Sequence, residues 1–219
     1  MVSGIVLAAG ESKRMGSPKA LLRLGESTFL ETVCSSLWGA GADEVIVVLG
    51  AVADMVKDTI AFRRERIVVN ENFRMGQLSS LQCGVRVTAP QSEAALVTLV
   101  DHPLVEQSTY RLLIEEWERV KGRIVLAVYE GRGGHPVVFP RPVYKELLEA
   151  PRDIGARYVV RKDPGRVRRL ECGDPGIMVD IDSPGDYEKF IPTSRDKLPH
   201  TSHPDNAQHL KDGPGRNPE

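Results

Sequence analysis

Apolar residues keep two alternating rhythms over the first 130 positions. Short, nearly unbroken runs of Val, Ile and Leu occupy residues 4–8 (GIVLA), 45–49 (VIVVL), 66–69 (RIVV), 95–100 (ALVTLV) and 123–129 (RIVLAVY). Such runs predict strands of a parallel sheet covered on both faces. Between them, apolar residues recur at three- and four-residue intervals over 28–39, 52–60, 79–87 and 106–120, which predicts amphipathic helices. The alternation implies right-handed βαβ units. The expected fold class is therefore α/β, a mostly parallel twisted sheet with helices on both faces.

The rhythm changes after Tyr129. Residues 130–142 (EGRGGHPVVFPRP) are rich in Gly and Pro with extended flanks, and predict a hairpin or loop on top of the sheet. Helical patterns follow at 141–150 and 154–162, then a strand near Val167–Leu170 and a further extended run, 177–181 (IMVDI). In 183–190, Ser183 suits an N-cap, Pro184 the first helical position and Asp186 the positive end of a helix. From about residue 193 the chain is polar and proline-rich without period. One domain over 1–192 and a disordered tail over 193–219 are expected.

Composition narrows the function classes. The 219 residues are 41% hydrophobic and 27% charged, with a net charge of -1, ordinary for a globular protein and unlike a general binder of nucleic acid or acidic membranes. Three scattered cysteines (Cys34, Cys83, Cys172) form no CxxC pair, which argues for a reducing compartment and against a disulfide framework or zinc ribbon. No run approaches the length of a membrane span, and no export signal is visible. A cytoplasmic protein is expected. Trp38 and Trp117 fall on apolar helical faces and are expected in the core.

Positive charge is concentrated in one place. Residues 10–25 carry Lys13, Arg14, Lys19 and Arg23 against the single acid Glu11, on a glycine-punctuated turn directly after the first strand. Such turns present N–H groups to phosphates. The spacing excludes two common versions. Gly10 and Gly16 enclose five residues and Ser17-Pro18 follows, so there is no P-loop. No GxGxxG is present and the second strand ends Leu49-Gly50 without an acid, so there is no dinucleotide fingerprint. Further along, Asp101 follows an apolar strand, at the sheet edge where open α/β sheets bind ligands; an aspartate there also serves as a cap. Asp180 and Asp182 lie two apart in an extended run and share one face. Paired carboxylates beside phosphates call for a cation, and Mg²⁺ suits carboxylates and phosphate oxygens.

The string LAAGESKRMGSPK (7–19) resembles the signature loop LAAGxSxRMGxxK of nucleotidyltransferases with a Rossmann-like (GT-A-like) fold. Within them it is similar to the MocA-like branch, the molybdenum cofactor cytidylyltransferases. Four later segments resemble the same branch in order: 70–84 (NENFRMGQLSSLQCG), 97–103 (VTLVDHP, with His102 in place of a glutamine), 131–139 (GRGGHPVVF) and 180–187 (DIDSPGDY).

The resemblance implies transfer of CMP from CTP to molybdopterin with release of pyrophosphate. Lys19 and Arg14 would hold the triphosphate, with Leu7, Ala8, Ala9 and Gly10 around the nucleotide and Ser79 and Ser80 beside the base, although those serines also suit helix capping. Asp101 would be catalytic and, with Asp182, would hold Mg²⁺; Asp180 is the second choice to Asp182. His102 and His135 would face the acceptor, a turn histidine bonded to backbone being the alternative for His135. Relatives that use CTP resemble LAAG where guanylyl-transferring ones carry LAGG, so Ala9 favours CTP. Transient contact with a molybdoenzyme or its chaperone is a further implication. Two other readings stay open: the same chemistry on another phosphorylated small molecule or with GTP, and a nucleotide or cofactor delivery module without turnover.

Overall fold

The computed structural model describes residues 1–191; the expected tail over 193–219 lies outside the described residues. Strands β1 (Val2–Ala8), β4 (Glu44–Leu49), β5 (Arg66–Val69) and β6 (Ala94–Leu99) form the parallel half of a seven-stranded sheet. A two-stranded ribbon, β2 (Arg23–Leu24) with β3 (Ser27–Thr28), stands apart from it. The order is β5-β4-β1-β6-β8-β7-β9, completed by β7 (Ile124–Tyr129), β8 (Arg132–Pro140) and β9 (Val167–Glu171). Only β8 runs against the rest, antiparallel to both β6 and β7.

The strand runs expected over 4–8, 45–49, 66–69, 95–100, 123–129 and 167–170 are present with ends within two residues. The segment 130–142 differs. It does not lie on top of the sheet: β8 is inserted between β6 and β7, joined to β7 by a two-residue turn in which Glu130 and Gly131 both have positive φ. Such a turn matches the twist of a tight hairpin. The glycines that made the segment look like a loop serve close packing. A Cβ on Gly134 would lie 2.6 Å from the Ile177 carbonyl oxygen, so the bare backbone lets the later chain cross the strand. The run 177–181 is likewise not a strand. A short helical turn, Pro175–Met178, precedes an extended but unpaired stretch.

Side chains alternate across the sheet. On β1, Val2, Val6 and Ala8 enter one core with α1 (Phe29–Ala40), α2 (Ala53–Thr59) and α4 (Gln107–Arg119), while Ile5 and Leu7 enter the other. That second core contains α3 (Gln77–Arg86), α5 (Tyr144–Glu149) and α6 (Arg157–Lys162). Phe29, Leu30 and Leu37 are fully buried, each worth about 1.5–3 kcal/mol of apolar burial. Trp117 is in the core as expected, whereas Trp38 is half-buried and donates to Glu65 at 2.8 Å. Thr28 with Glu31 caps α1, and Ser183 with Asp186 caps α7 (Pro184–Phe190), the second as the sequence indicates.

Parallel strands place their loops on one edge, and chain direction diverges between β1 and β6, so a crevice opens there. A third segment is brought over it by Asp174. This buried carboxylate accepts from the Glu106 N–H (3.0 Å), the Thr109 hydroxyl (2.6 Å) and the Gly176 N–H (2.7 Å). Further along, the Ile181 N–H donates to the Asp101 carbonyl at 2.9 Å. Asp174→Ala strands all three donors, so it should cost about 3 kcal/mol. A lowered urea midpoint checks this; an unchanged midpoint would show that the clasp contributes nothing.

Candidate active site

The loop after β1 is shaped by Ser12, which adopts φ 52. Its carbonyl accepts the Met15 and Gly16 N–H groups at 3.1 Å, and its hydroxyl accepts the Lys19 N–H at 3.0 Å. Met15 is buried and pins the loop to the core. The loop therefore delivers Lys19 inward, with its side chain 12% exposed, and leaves Arg14 outside at 75%.

The Lys19 ammonium meets three carboxylates. It bonds Asp101 at 2.7 Å and Asp182 directly, with Asp180 at 3.9 Å. The Arg14 guanidinium caps the other Asp182 oxygen at 2.5 Å. Ile181 between the two later aspartates is fully buried, which turns Asp180 and Asp182 toward the cleft without any strand partner.

This cluster sets its own ionisation. Burial works against the charged Lys19, yet Asp101 and Asp182 outweigh it and hold its pKa above the usual lysine range. Asp182 loses some hydration through burial, but Lys19 and Arg14 keep its carboxyl below the ordinary value. Asp180 is the exception: burial, then the charges of Asp101 and Asp182, push it up to about 6.

The residues open onto a cleft of about 460 Å³, a size suited to a small-molecule ligand. Leu7, Ala8, Ala9 and Gly10 line it, together with Arg14, Lys19 and Asp101. Phe73 and Ser80 line it too. Ser79 is not there. Its hydroxyl bonds the Gly76 carbonyl at 2.8 Å, and it borders a separate depression with Asn70 and Arg86. Neither serine caps α3, whose N-cap is Gly76; Asn70 donates to both hydroxyls instead. The two histidines also stand outside the cleft. His102 is buried and His135 lines a second cavity, their rings 6.0 Å apart. Burial lowers both pKa values, that of His135 to about 4, so each is neutral at pH 7.

The donor set fits a divalent cation. Among the described residues Asp101 Oδ1 is buried without any hydrogen-bond partner, and donor atoms of Asp101, His102 and Asp180 lie within 4.8 Å of one another. Three carboxylates face two cations here, leaving negative charge for a hard metal to neutralise. The sequence indicated Asp101 and Asp182 for the metal, whereas the donor atoms that lie together are those of Asp101, His102 and Asp180, and Asp182 is bonded to Lys19 and Arg14; it gave no part to Ser12, Phe73 or Asp174. Ser12 sits inside the signature string, so it was visible; Asp174 shows itself only through contacts across the fold.

The sequence profile of the MobA-like NTP transferase domain matches residues 4–167. The chain belongs to that family. It is 35% identical over 194 residues to nicotine blue oxidoreductase of Paenarthrobacter nicotinovorans, covering 83% of this chain and 92% of that protein. It is 26% identical over 184 residues to the molybdenum cofactor cytidylyltransferase of Escherichia coli K12, covering 84% and 92%. Among solved structures, Rv0371c of Mycobacterium tuberculosis H37Rv superposes with TM-score 0.77 at 30% identity, over 88% of this chain and 98% of that one. A complex of that protein with manganese gives TM-score 0.71 at 28% identity, over 87% and 97%. The MobA-like fold, the family and a nucleotidyltransferase character thus agree with the sequence. Among the described residues no helix is long and apolar enough to cross a membrane.

Asp180 supplies a pH test. A folded-state pKa raised from 3.8 to about 6 means that its ionised form opposes folding, a penalty absent below the unfolded pKa and complete above pH 6. Asp180→Asn should therefore raise the metal-free melting temperature at pH 7.5, with solvent screening at this half-exposed group keeping the gain to about 2 °C. The gain should vanish below pH 4. A gain independent of pH would contradict the charge assignment.

Proposed function

We propose that this protein transfers CMP from CTP to the phosphate of molybdopterin and releases pyrophosphate. The observation that carries the reading is the Lys19 ammonium, held among Asp101, Asp180 and Asp182 at the inner end of the loop-lined cleft. A binding module has no use for three converging carboxylates next to a phosphate site, since they repel the ligand unless a cation is bound.

In this reading an oxygen of the acceptor phosphate attacks the α-phosphorus of CTP. A new P–O bond forms as the bond to the β-phosphate oxygen breaks, and pyrophosphate leaves with the electron pair. Lys19 and Arg14 neutralise the triphosphate and align it, with main-chain N–H groups near Gly10 assisting. A phosphate monoester has a second pKa of about 6, so the nucleophile is already anionic and needs no base. The neutral His102 and His135 agree with that. Asp101 and Asp182, with Asp180 beside them, would hold Mg²⁺, which supplies charge neutralisation at the α-phosphate. Ala9 borders the cleft and supports CTP, since a methyl group where a nucleobase approaches would disfavour a larger purine.

The test is pyrophosphate release from each of the four nucleoside triphosphates with Mg²⁺ and molybdopterin. CTP should lead, and Lys19→Ala should lose about 100-fold in turnover while staying folded, with a lowered metal-free melting temperature because three carboxylates lose the cation between them. Preference for GTP would overturn the base assignment. The name of the 35%-identical relative adds one control. Reduction of nicotine blue by an added electron donor, without pyrophosphate release from any triphosphate, would make this chain a redox enzyme on a transferase fold.

A further inference from the structure

Each carboxylate of the Lys19 cluster has two oxygens, and several are already taken. Lys19 bonds one oxygen of Asp182 and Arg14 the other. Lys19 also holds Asp101 Oδ2 at 2.7 Å. Among the described residues Asp101 Oδ1 has no hydrogen-bond partner, although it is buried. The next residue shares that condition. His102 is 8% exposed, and its Nδ1 is likewise buried without a partner among the described residues. Buried polar atoms are rarely left unmet, and two on adjacent side chains call for a ligand that both can reach.

The fold holds these atoms together. Asp101 and His102 lie in the turn that leaves β6, where the His102 N–H donates to the Leu99 carbonyl at 3.3 Å. The Asp101 carbonyl accepts the Ile181 N–H at 2.9 Å, which sets Asp180 beside that turn. One imidazole nitrogen of His102 and one oxygen each of Asp101 and Asp180 lie within 4.8 Å of one another. That spread is about twice a metal–donor distance of roughly 2.0–2.4 Å, so one cation can touch all three. We propose that His102 is a metal ligand, completing a seat with Asp101 and Asp180, and that its nitrogen makes the seat prefer a first-row transition ion such as Mn²⁺ over Mg²⁺. Mg²⁺ is hard and keeps oxygen ligands and waters, whereas transition ions accept imidazole. Asp182, with both oxygens bonded to cations, holds Lys19 and Arg14 in place instead of ligating. The inference rests on the transferase reading above for the metal's task. It replaces Asp182 by His102 in the donor set, and Mg²⁺ by Mn²⁺ as the ion bound more tightly.

The experiment titrates the full-length protein with Mn²⁺ alone, followed by electron paramagnetic resonance, with Mg²⁺ as the competitor. Mn²⁺ should bind at least about tenfold more tightly than Mg²⁺, and its spin echo should carry the modulation of a directly bound imidazole nitrogen. In His102→Gln an oxygen replaces that nitrogen. The modulation should then vanish and the preference for Mn²⁺ should fall to about threefold or less, while His135→Gln keeps the nitrogen signal. A wild-type protein that binds Mn²⁺ through oxygen alone, or not at all, would overturn the proposal, whether or not the variant folds. So would a nitrogen signal that survives in His102→Gln. Pyrophosphate release without the nitrogen signal would sink this proposal and spare the transferase reading. Nitrogen-bound Mn²⁺ in a protein that releases no pyrophosphate would do the reverse.

Discussion

Three carboxylates can share one crevice only if something positive stands between them. Here that is the Lys19 ammonium, bonded to Asp101 and Asp182 and 3.9 Å from Asp180. The three acids come from segments some 80 residues apart, so this one cation joins the loop after β1, the end of β6 and the stretch before α7. Its hold is incomplete. Asp180, farthest from the ammonium, is the one whose pKa rises, while the closely bonded Asp182 falls. The site is thus built with negative charge left over, which is the condition for taking up a metal and a triphosphate together.

The rest of the fold serves to keep that geometry. β1 and β6 are adjacent, fixing the distance between the loop that carries Lys19 and the turn that carries Asp101. Asp174 ties the later segment to the start of α4, and the capping carboxylate Asp186 also accepts the Asp182 N–H at 3.2 Å. The Tyr187 hydroxyl then donates to the Arg23 carbonyl at 2.7 Å, fastening α7 to the ribbon that follows Lys19. Each is a local polar bond, and together they immobilise side chains whose positions determine chemistry.

Much of this was legible in the sequence where local pattern and tertiary structure agree. The strands β1, β4, β6 and β7 are mostly apolar runs with nearly every residue buried, β5 is a half-exposed apolar edge strand, Asp101 comes just after β6, and Lys19 lies on the loop that leaves β1. The pattern misled where side-chain composition served packing. The segment with Gly133 and Gly134 read as a hairpin or loop on top of the sheet; the hairpin with β7 forms, but within the sheet, where the glycines allow β8 to lie under Leu126 and the Ile177 backbone. The run 177–181 read as a strand because Ile177 and Ile181 are buried, but they pack on the core without a ladder. Ser79 and Ser80 are adjacent in sequence and point different ways on a helix, so spacing could not tell which meets the cleft.

The central claim is that Asp101 belongs to the reacting centre rather than to a cap or a binding surface. Its Oδ1 is buried without a partner among the described residues, a costly arrangement unless a cation takes it up. The most direct measurement is turnover and nucleotide affinity of Asp101→Asn, taken side by side in Mg²⁺ with molybdopterin present. The account predicts a Kd for CTP within about threefold of wild type and a kcat at least about 100-fold lower, since the carboxylate acts on charge developing in the transition state. A variant that turns over at the wild-type rate would contradict it.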